Sequence, residues 1–432
     1  MPEEIVIIGN GIAGITCARH IRKQSNHTIT VISSETPYFY SRTALMYIYM
    51  GHMKYEHTKP YEDGFWKKNR IQLVHDTVTK LDVENNSIAL GSGKNISFDK
   101  LVLATGSVTN MPNIKGAGLP GVQGLYGMPD LLKMTTATSG IDEAVVAGGG
   151  LIGIEMAEML LSRNIKVNFL IREKDYWNNI LPPEEAAMIS KHIRSHGINL
   201  MTGTEIKEIL QGDDGRVAGI LTMDGDIIGG KFVGLTIGVR PNVSLVQETP
   251  VEADRGILVN EHFETNVPGI YAIGDCVQHK KPPAGRKAVE QVWYTGRMHG
   301  EMLASTICGN RQAYHPDPWF NSAKFLDIEY QTYGVINATL QDDEDSFAWQ
   351  HPCKNLLFRM SYSKKDNTVL GFNVLGLRLR HEVCNAWLKN KIKVDAALER
   401  LEEINFDPEF FRHYEKDIRS AFQATKKQFI NT

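Results

Sequence analysis

Two glycine-rich segments of the chain have residue types and a spacing that suit the binding of a pyrophosphate. They read GNGIAG at residues 9–14 and GGGLIG at residues 148–153, and both follow the pattern G-x-G-x-x-G. The first glycine of this pattern permits a tight turn, the second lets backbone N–H groups approach the phosphates, and the third lets a helix pack closely on the preceding strand. The positive end of the helix dipole then faces the anion. Each segment therefore predicts a site for a dinucleotide.

The elements around the two segments repeat as well. An apolar strand precedes each segment and an amphipathic helix follows it, in EIVIIGNGIAGITCARHI from Glu4 and in EAVVAGGGLIGIEMAEML from Glu143, 139 residues apart. A single glycine motif also occurs in purely structural strand–helix turns, whereas two copies in the same context favour two nucleotide sites. The pattern predicts an α/β protein with two Rossmann-like dinucleotide-binding domains.

Composition narrows the classes of partner. The 432 residues suit two or three domains, and 47 Lys+Arg against 50 Asp+Glu provide no overall attraction to nucleic acid or anionic lipid. No apolar run reaches the length of a membrane span, and the first strand begins by Glu4, so we expect a cytoplasmic protein without a signal peptide. The five cysteines are scattered and form no C-x-x-C motif. We therefore predict no disulfide scaffold and no metal site.

Three further segments connect the chain with a known family. LVLATGS at residues 101–107, LTIGVRPN at 235–242 and TNVPGIYAIGDC at 265–276 stand in an order and spacing that resemble the FAD-dependent pyridine nucleotide-disulfide oxidoreductase superfamily, over residues 1 to about 315. The resemblance implies a fold of the glutathione-reductase type. Its FAD-binding domain would comprise residues 1–112 and 242–313, its NAD(P)-binding domain residues 113–241, and a C-terminal α+β interface domain residues 314–432.

The resemblance also implies cofactors and their contacts. FAD would lie in the first glycine segment and NAD(P)H in the second, with hydride passing from the nicotinamide to the flavin. Asp275 would bond the ribityl chain, although an ordinary helix N-cap is an equally simple role for it. The residues expected to contact FAD are Gly9, Gly11, Ile12, Ala13, Gly14, Glu35, Arg42, Val78, Ala104, Thr105, Gly106, Gly274 and Asp275. Those expected to contact NAD(P)H are Gly148, Gly150, Leu151, Ile152, Gly153, Arg172 and Gly238.

The strand after the second glycine segment bears on the choice of nicotinamide. It reads KVNFLIREK, with Ile171 and Arg172 where an NADH site would carry an acid for the ribose 2′-hydroxyl. An arginine there can pair with a 2′-phosphate, which favours NADPH. Glu173 follows directly and leaves NADH open.

The segment PYFYSRTALMYIYMG, residues 37–51, bears on the electron acceptor. Many relatives carry a reactive cysteine there, and this chain has none. The segment instead resembles Y-x-R-P-x-L-S-K in rubredoxin reductases, oxygenase-coupled ferredoxin reductases and the flavin half of assimilatory nitrite reductase. Arg42 matches, whereas Thr43 replaces the proline and Tyr47 the lysine. By this resemblance we expect Tyr47, Glu155 and Trp293 beside the reacting rings.

Reduced flavin can release electrons singly, which suits a one-electron metal centre, so we expect a small iron–sulfur or rubredoxin-like protein as the acceptor. A quinone or oxygen reductase and a flavin-bound redox sensor are the alternatives.

In the C-terminal third the pattern predicts strands at 320–325 and 331–337, a hairpin turning at 364–367, and helices from about residue 378, one of them beginning at Asp407–Pro408. We expect a helix at 288–304 and a solvated loop at the acidic run QDDEDS, residues 341–346. A homodimer is left open.

Overall fold

The first Rossmann-like domain is built on a parallel sheet whose strands come from distant parts of the chain. The computed structural model describes residues 2–410 and 412–430. Branched apolar runs such as EIVII form strands that are buried on both faces, as a sheet covered by helices requires. One helix cover is the close pair Ile12–Gln24 and Trp293–Ile307. The five strands are, in spatial order, Ile270–Ala272, Lys100–Leu103, Glu4–Ile8, Thr28–Ser33 and Ile71–His75.

The second Rossmann-like domain repeats this plan. Its helices are Met128–Ala137, Leu151–Leu161 and Pro183–Ser195. Its parallel strands are, in spatial order, Asn199–Met201, Lys166–Leu170, Glu143–Ala147, Val233–Leu235 and Val122–Gln123. The two chain crossings between the domains, Ser107–Thr109 and Val239–Pro241, pair with each other as antiparallel strands.

Small antiparallel sheets and short helices complete the two domains. The three-stranded sheets consist of Val78–Asp82, Ser87–Leu90 and Asn95–Ser97, and of Ile206–Gln211, Val217–Thr222 and Ile227–Gly229; Ile257–Val259 pairs with Val277–His279. The short helices are Leu45–Tyr49 and Gly64–Lys68, with 3₁₀ turns at Arg42–Ala44, Tyr55–Thr58, Ser244–Val246 and Gly274–Cys276.

The C-terminal domain is an antiparallel sheet with helices packed on it. Part of its apolar core lies between its own sheet and helices, as expected for an α+β unit, whereas Phe325, Tyr330 and Leu357 pack in the core of the second domain. The strands are, in spatial order, Phe320–Phe325, Ile328–Gly334, Val369–Leu375, Leu357–Ser363 and Glu344–Gln350. The helices are His381–Lys389, Val394–Glu399 and Glu415–Ile430, with a 3₁₀ turn at Leu401–Ile404.

The α/β fold class is confirmed, and several expected boundaries are corrected. The helix expected at 288–304 begins only at Trp293, and the strand expected at 331–337 is Ile328–Gly334. The acidic run is not a loop throughout, because Glu344 begins a strand and is buried while accepting hydrogen bonds from the Asn337 amide at 2.7 and 2.9 Å. Pro408 opens a turn and not a helix. None of the helices in the described part of the chain combines the length and apolar character that a bilayer span needs.

Candidate functional site

A cavity of about 730 Å³ lies at the carboxyl ends of the first sheet, where it is also lined by residues of the second domain. This is the edge at which open α/β sheets bind ligands. Of the residues expected to contact FAD, Gly14 does not line the cavity. The remaining members of that set do: Gly9, Gly11, Ile12, Ala13, Glu35, Arg42, Val78, Ala104, Thr105, Gly106, Gly274 and Asp275.

The three glycines of the first segment have different structural roles. Gly9 has φ +115°, and a Cβ there would lie 2.1 Å from the carbonyl oxygen of Ala104. A Cβ on Gly14 would lie 2.1 Å from the carbonyl oxygen of Gly9. Gly11, by contrast, has φ −70° and an added Cβ meets no atom within 4 Å. The first and third glycines thus permit packing within the protein, whereas the open space at Gly11 fits the pyrophosphate of FAD.

The second segment has the same geometry. A Cβ on Gly148 would lie 2.3 Å from the carbonyl oxygen of Thr236, and one on Gly153 would lie 2.1 Å from that of Gly148, but the nearest atom to a Cβ on Gly150 is 4.0 Å away. Leu151 and Ile152 line the large cavity. The other residues expected to contact NAD(P)H lie outside its lining: Gly148, Gly150, Gly153, Arg172 and Gly238.

Glu35 and Arg42, both of which we expect to contact FAD, form an ion pair with each other. The Arg42 guanidinium lies 2.6 and 3.1 Å from the two carboxylate oxygens of Glu35, and the Tyr40 hydroxyl and the Met128 N–H also donate to Glu35. Burial opposes ionisation of Glu35, but the arginine and these donors hold its pKa below the usual range. Arg42 therefore keeps a partly buried carboxylate charged at the cavity wall.

Asp275 lies in a hydrogen-bonded group that the sequence did not reveal. Its Oδ2 accepts hydrogen bonds from the Ser107 hydroxyl at 3.1 Å and from the Tyr126 hydroxyl at 3.3 Å, and Gln291 donates to Ser107 at 2.6 Å. The Arg42 guanidinium stacks 4.5 Å from the centre of the Tyr126 ring. Burial raises the pKa of Asp275. No sequence motif predicted a role for Tyr126, because it belongs to none of the motifs and its contacts with Arg42 and Asp275 join residues that are distant along the chain.

Glu155 and Trp293 belong to different domains, and both line the cavity. Glu155 lies in the first turns of helix Leu151–Leu161, and Trp293 is the first residue of helix Trp293–Ile307. Glu155 is open to the cavity but otherwise enclosed by protein, and this burial, with Glu158 nearby, raises its pKa to about 7. A carboxyl group with this pKa can hold or release a proton near neutral pH.

Tyr47 is placed differently from our expectation. It lies outside the cavity lining, and its ring stacks on that of His52 with centroids 6.3 Å apart. The neighbouring Leu45 and Met46 line the cavity instead. Because successive helical residues are rotated by about 100°, a helix that turns Leu45 and Met46 inward directs Tyr47 elsewhere.

None of the five cysteines, all of which lie in the described part of the chain, lines the cavity. Cys17, Cys276 and Cys384 are buried, and burial raises the pKa of each thiol. The Cys276 thiol lies 3.3 Å from the carbonyl oxygen of Ile273. A buried thiol of raised pKa is a poor source of thiolate.

The end of strand Lys166–Leu170 presents two opposite charges. Arg172 has a 75% exposed side chain, and its Nε lies 3.8 Å from the Glu173 carboxylate. A Cβ on Gly149 would lie 3.6 Å from the Glu173 Oε2, so this acid reaches the second glycine segment. Ile171 is buried. The cation is thus available to a phosphate, and the acid is near enough to compete for a ribose.

Comparison with known proteins identifies the same family over most of the chain. Residues 3–300 match the family model described as pyridine nucleotide-disulphide oxidoreductase. The chain is 30% identical over 341 residues to a nitrite reductase [NAD(P)H] of Bacillus subtilis, covering 78% of this chain and 41% of that protein. It is 30% identical over 355 residues to rhodocoxin reductase of Rhodococcus erythropolis, covering 79% of this chain and 81% of that protein. The fold is similar to that of a ferredoxin reductase from Rhodopseudomonas palustris, with TM-score 0.78, 23% identity and coverage of 86% and 91% of the two chains.

Proposed function

Because the chain belongs to the pyridine nucleotide-disulphide oxidoreductase family and is an FAD-dependent NAD(P)H oxidoreductase, we propose that it delivers electrons to a small iron–sulfur or rubredoxin-like protein. Two of the similar proteins are named for the acceptors rhodocoxin and ferredoxin. The chain covers less than half of the nitrite reductase, so that protein's substrate is not transferred to this one.

The observation that carries the proposal is the lack of a thiol among the residues that line the cavity. A disulfide reductase stores the electron pair on cysteine sulfurs beside the flavin. Here the cysteines nearest the cofactor region by sequence, Cys17 and Cys276, are buried with raised thiol pKa values. The electrons would therefore leave for an acceptor outside the chain without a thiol step.

The residues around the cavity would bind and orient the cofactors. Backbone N–H groups near Gly11 would hold the FAD pyrophosphate, and Asp275 would accept hydrogen bonds from its ribityl chain. When bound, FAD supplies hydride acceptance and release of electrons one at a time. Glu155, with its pKa of about 7, would hold or release a proton beside the rings, and Trp293 would close the cavity against water.

We propose NADPH as the preferred electron donor. The exposed Arg172 guanidinium lies 3.8 Å from the Glu173 carboxylate, so it can pair with a 2′-phosphate at little cost. NADH is the alternative, and it would depend on Glu173 accepting from the ribose hydroxyls.

Steady-state turnover tests the proposed acceptor. Oxidation of NADPH by the FAD-loaded protein is measured with ferricyanide, a purified rubredoxin, a purified ferredoxin, a soluble quinone or air as acceptor. Fast turnover with ferricyanide and with one of the two proteins is the expected result. Fast turnover with quinone or air alone would establish a quinone or oxygen reductase. Slow turnover with every acceptor, together with ligand-dependent association, would indicate a redox sensor.

A further inference from the structure

We propose that His192, His196 and Asp327 bind one divalent transition-metal ion of the zinc type. His192 lies on helix Pro183–Ser195, His196 directly follows that helix, and Asp327 lies in the turn between two strands of the C-terminal sheet. One ligand atom from each residue lies within 4.8 Å of the other two. Cysteine spacing led us to predict no metal, but this cluster contains no cysteine.

The tautomer of His196 leaves a ligand atom available. Its Nδ1 lies 3.0 Å from the backbone carbonyl oxygen of His192, which can only accept, so Nδ1 carries the proton. In a neutral ring Nε2 then has a lone pair, and it faces Asp327 Oδ1 at 3.5 Å. Two acceptors face each other favourably only if a cation or a second proton lies between them. Nδ1–H bound to a backbone carbonyl is also the usual support of a metal-binding histidine.

His192 has a comparable support. It is buried, its Nε2 lies 2.5 Å from Asp327 Oδ1, and its Nδ1 lies 3.1 Å from the side-chain amide of Asn355. The oxygen and nitrogen of an amide can exchange places by rotation, so the Asn355 oxygen can accept a hydrogen bond from a protonated Nδ1. That rotation frees Nε2 for a metal ion. The carboxylate oxygen of Asp327 is thus shared between two imidazoles that can both present Nε2.

The distances and the surroundings suit Zn²⁺. Zinc binds imidazole nitrogen and carboxylate oxygen at about 2.0–2.2 Å, which places tetrahedral ligand atoms about 3.3 Å apart. The contact of His192 with Asp327 must therefore open by less than about 1 Å. The Asp327 side chain is 73% exposed, which allows this movement and leaves a coordination position for water.

The helix and sheet that provide the ligands are already fixed against each other nearby. The buried Arg359 of the C-terminal sheet lies 2.6 Å from Glu185 and 2.7 Å from Glu184, both on the helix that carries His192. The metal would bind to a preformed contact between the two domains, and preformed sites lose less entropy on binding.

Titration of the FAD-loaded full chain with Zn²⁺ by calorimetry, after removal of metal with a chelator, tests the proposal. The expected result is one Zn²⁺ per chain, with affinity lowered at least about tenfold in His196→Ala and in Asp327→Asn, and by about 10- to 100-fold in Asn355→Ala. His413→Ala is the matched control, since His413 is an exposed histidine 3.4 Å from the carboxylate of Glu415 without a second imidazole. It should bind Zn²⁺ like the wild type.

Thermal unfolding separates the metal site from a simple ion pair. Zn²⁺ should raise the Tm of the wild type and of His413→Ala more than that of His196→Ala at the same Zn²⁺ concentration. His196 is only partly buried, and its replacement keeps the contact between His192 and Asp327, so this variant should fold. Equal Zn²⁺ affinity in the wild type and His196→Ala, or variants that lower Tm equally with and without Zn²⁺, would overturn the proposal in favour of a protonated histidine pair.

Discussion

Replacement of Gly11 by valine should remove flavin without loosening the fold. The backbone at Gly11, φ −70° and ψ −177°, is open to any residue, and a Cβ there meets no atom within 4 Å. The unfolding free energy of the apoprotein should therefore change by no more than about 0.5 kcal/mol. The valine side chain would instead occupy the space into which the pyrophosphate must come.

The expected loss of affinity follows from the bonds that become impossible. Each hydrogen bond from a backbone N–H to a charged phosphate contributes about 1.5–3 kcal/mol. Loss of two such bonds amounts to about 3–6 kcal/mol, or roughly a 10²- to 10⁴-fold weaker Kd for FAD.

Gly14→Ala is the matched control, because the third glycine contacts protein. Its added Cβ would lie 2.1 Å from the backbone carbonyl oxygen of Gly9, so the strand or the helix must move. Overpacking of this kind costs about 1–3 kcal/mol. This variant should lower the Tm of the apoprotein, and any loss of flavin should follow from that.

The assay has two readouts for each variant: flavin per chain, from absorbance after desalting, and the Tm of the flavin-free protein, from circular dichroism. Comparison of apoproteins removes the stabilisation that bound FAD itself provides. Wild-type flavin content in Gly11→Val would refute the assignment of the first glycine segment to FAD. A Tm lowered as far as in Gly14→Ala would refute the claim that the space at Gly11 belongs to the ligand.

Three other predictions concern the nicotinamide, the thiols and the acid stability. Arg172→Ala should reduce the preference for NADPH over NADH in kcat/KM by about 10- to 100-fold, the equivalent of a charge-assisted pair; a wild type that prefers NADH and loses it in Glu173→Gln would contradict this. Cys276→Ala should keep most of the NADPH-to-ferricyanide rate, and near-complete loss of turnover in a folded, flavin-loaded variant would return a thiol to the mechanism. Burial lowers the pKa of His279 to about 4, so the folded protein binds a proton at this imidazole less readily than the unfolded chain does. The contribution of neutral His279 to the unfolding free energy is therefore fully present above about pH 6.5 and falls as the pH drops towards 4. The loss should reach about 3 kcal/mol in urea unfolding, and His279→Phe should flatten the slope; an unchanged slope would show that other groups cause it.

The sequence alone determined the features that depend on residues close to one another along the chain. A strand, three glycines at fixed spacing and a helix specify the turn between strand and helix without contacts from distant residues. Two copies of this motif indicated two dinucleotide-binding domains. The α/β class followed from these two segments, and the resemblance of three further segments to a known family implied the FAD and nicotinamide cofactors. Local reasoning could not determine which way Tyr47 points, because the rotation of a five-residue helix is set by what it packs against.

Only the tertiary structure decided which polar groups meet. Glu35 and Arg42 were each expected to face FAD, and the fold, besides placing both at the cavity, pairs them with each other. His192 and Asp327 lie 135 residues apart and come together because a helix of one domain packs against a turn of the next. The physical reason is that a side chain's partners depend on distance in space, and chain folding brings together residues that no pattern along the sequence relates.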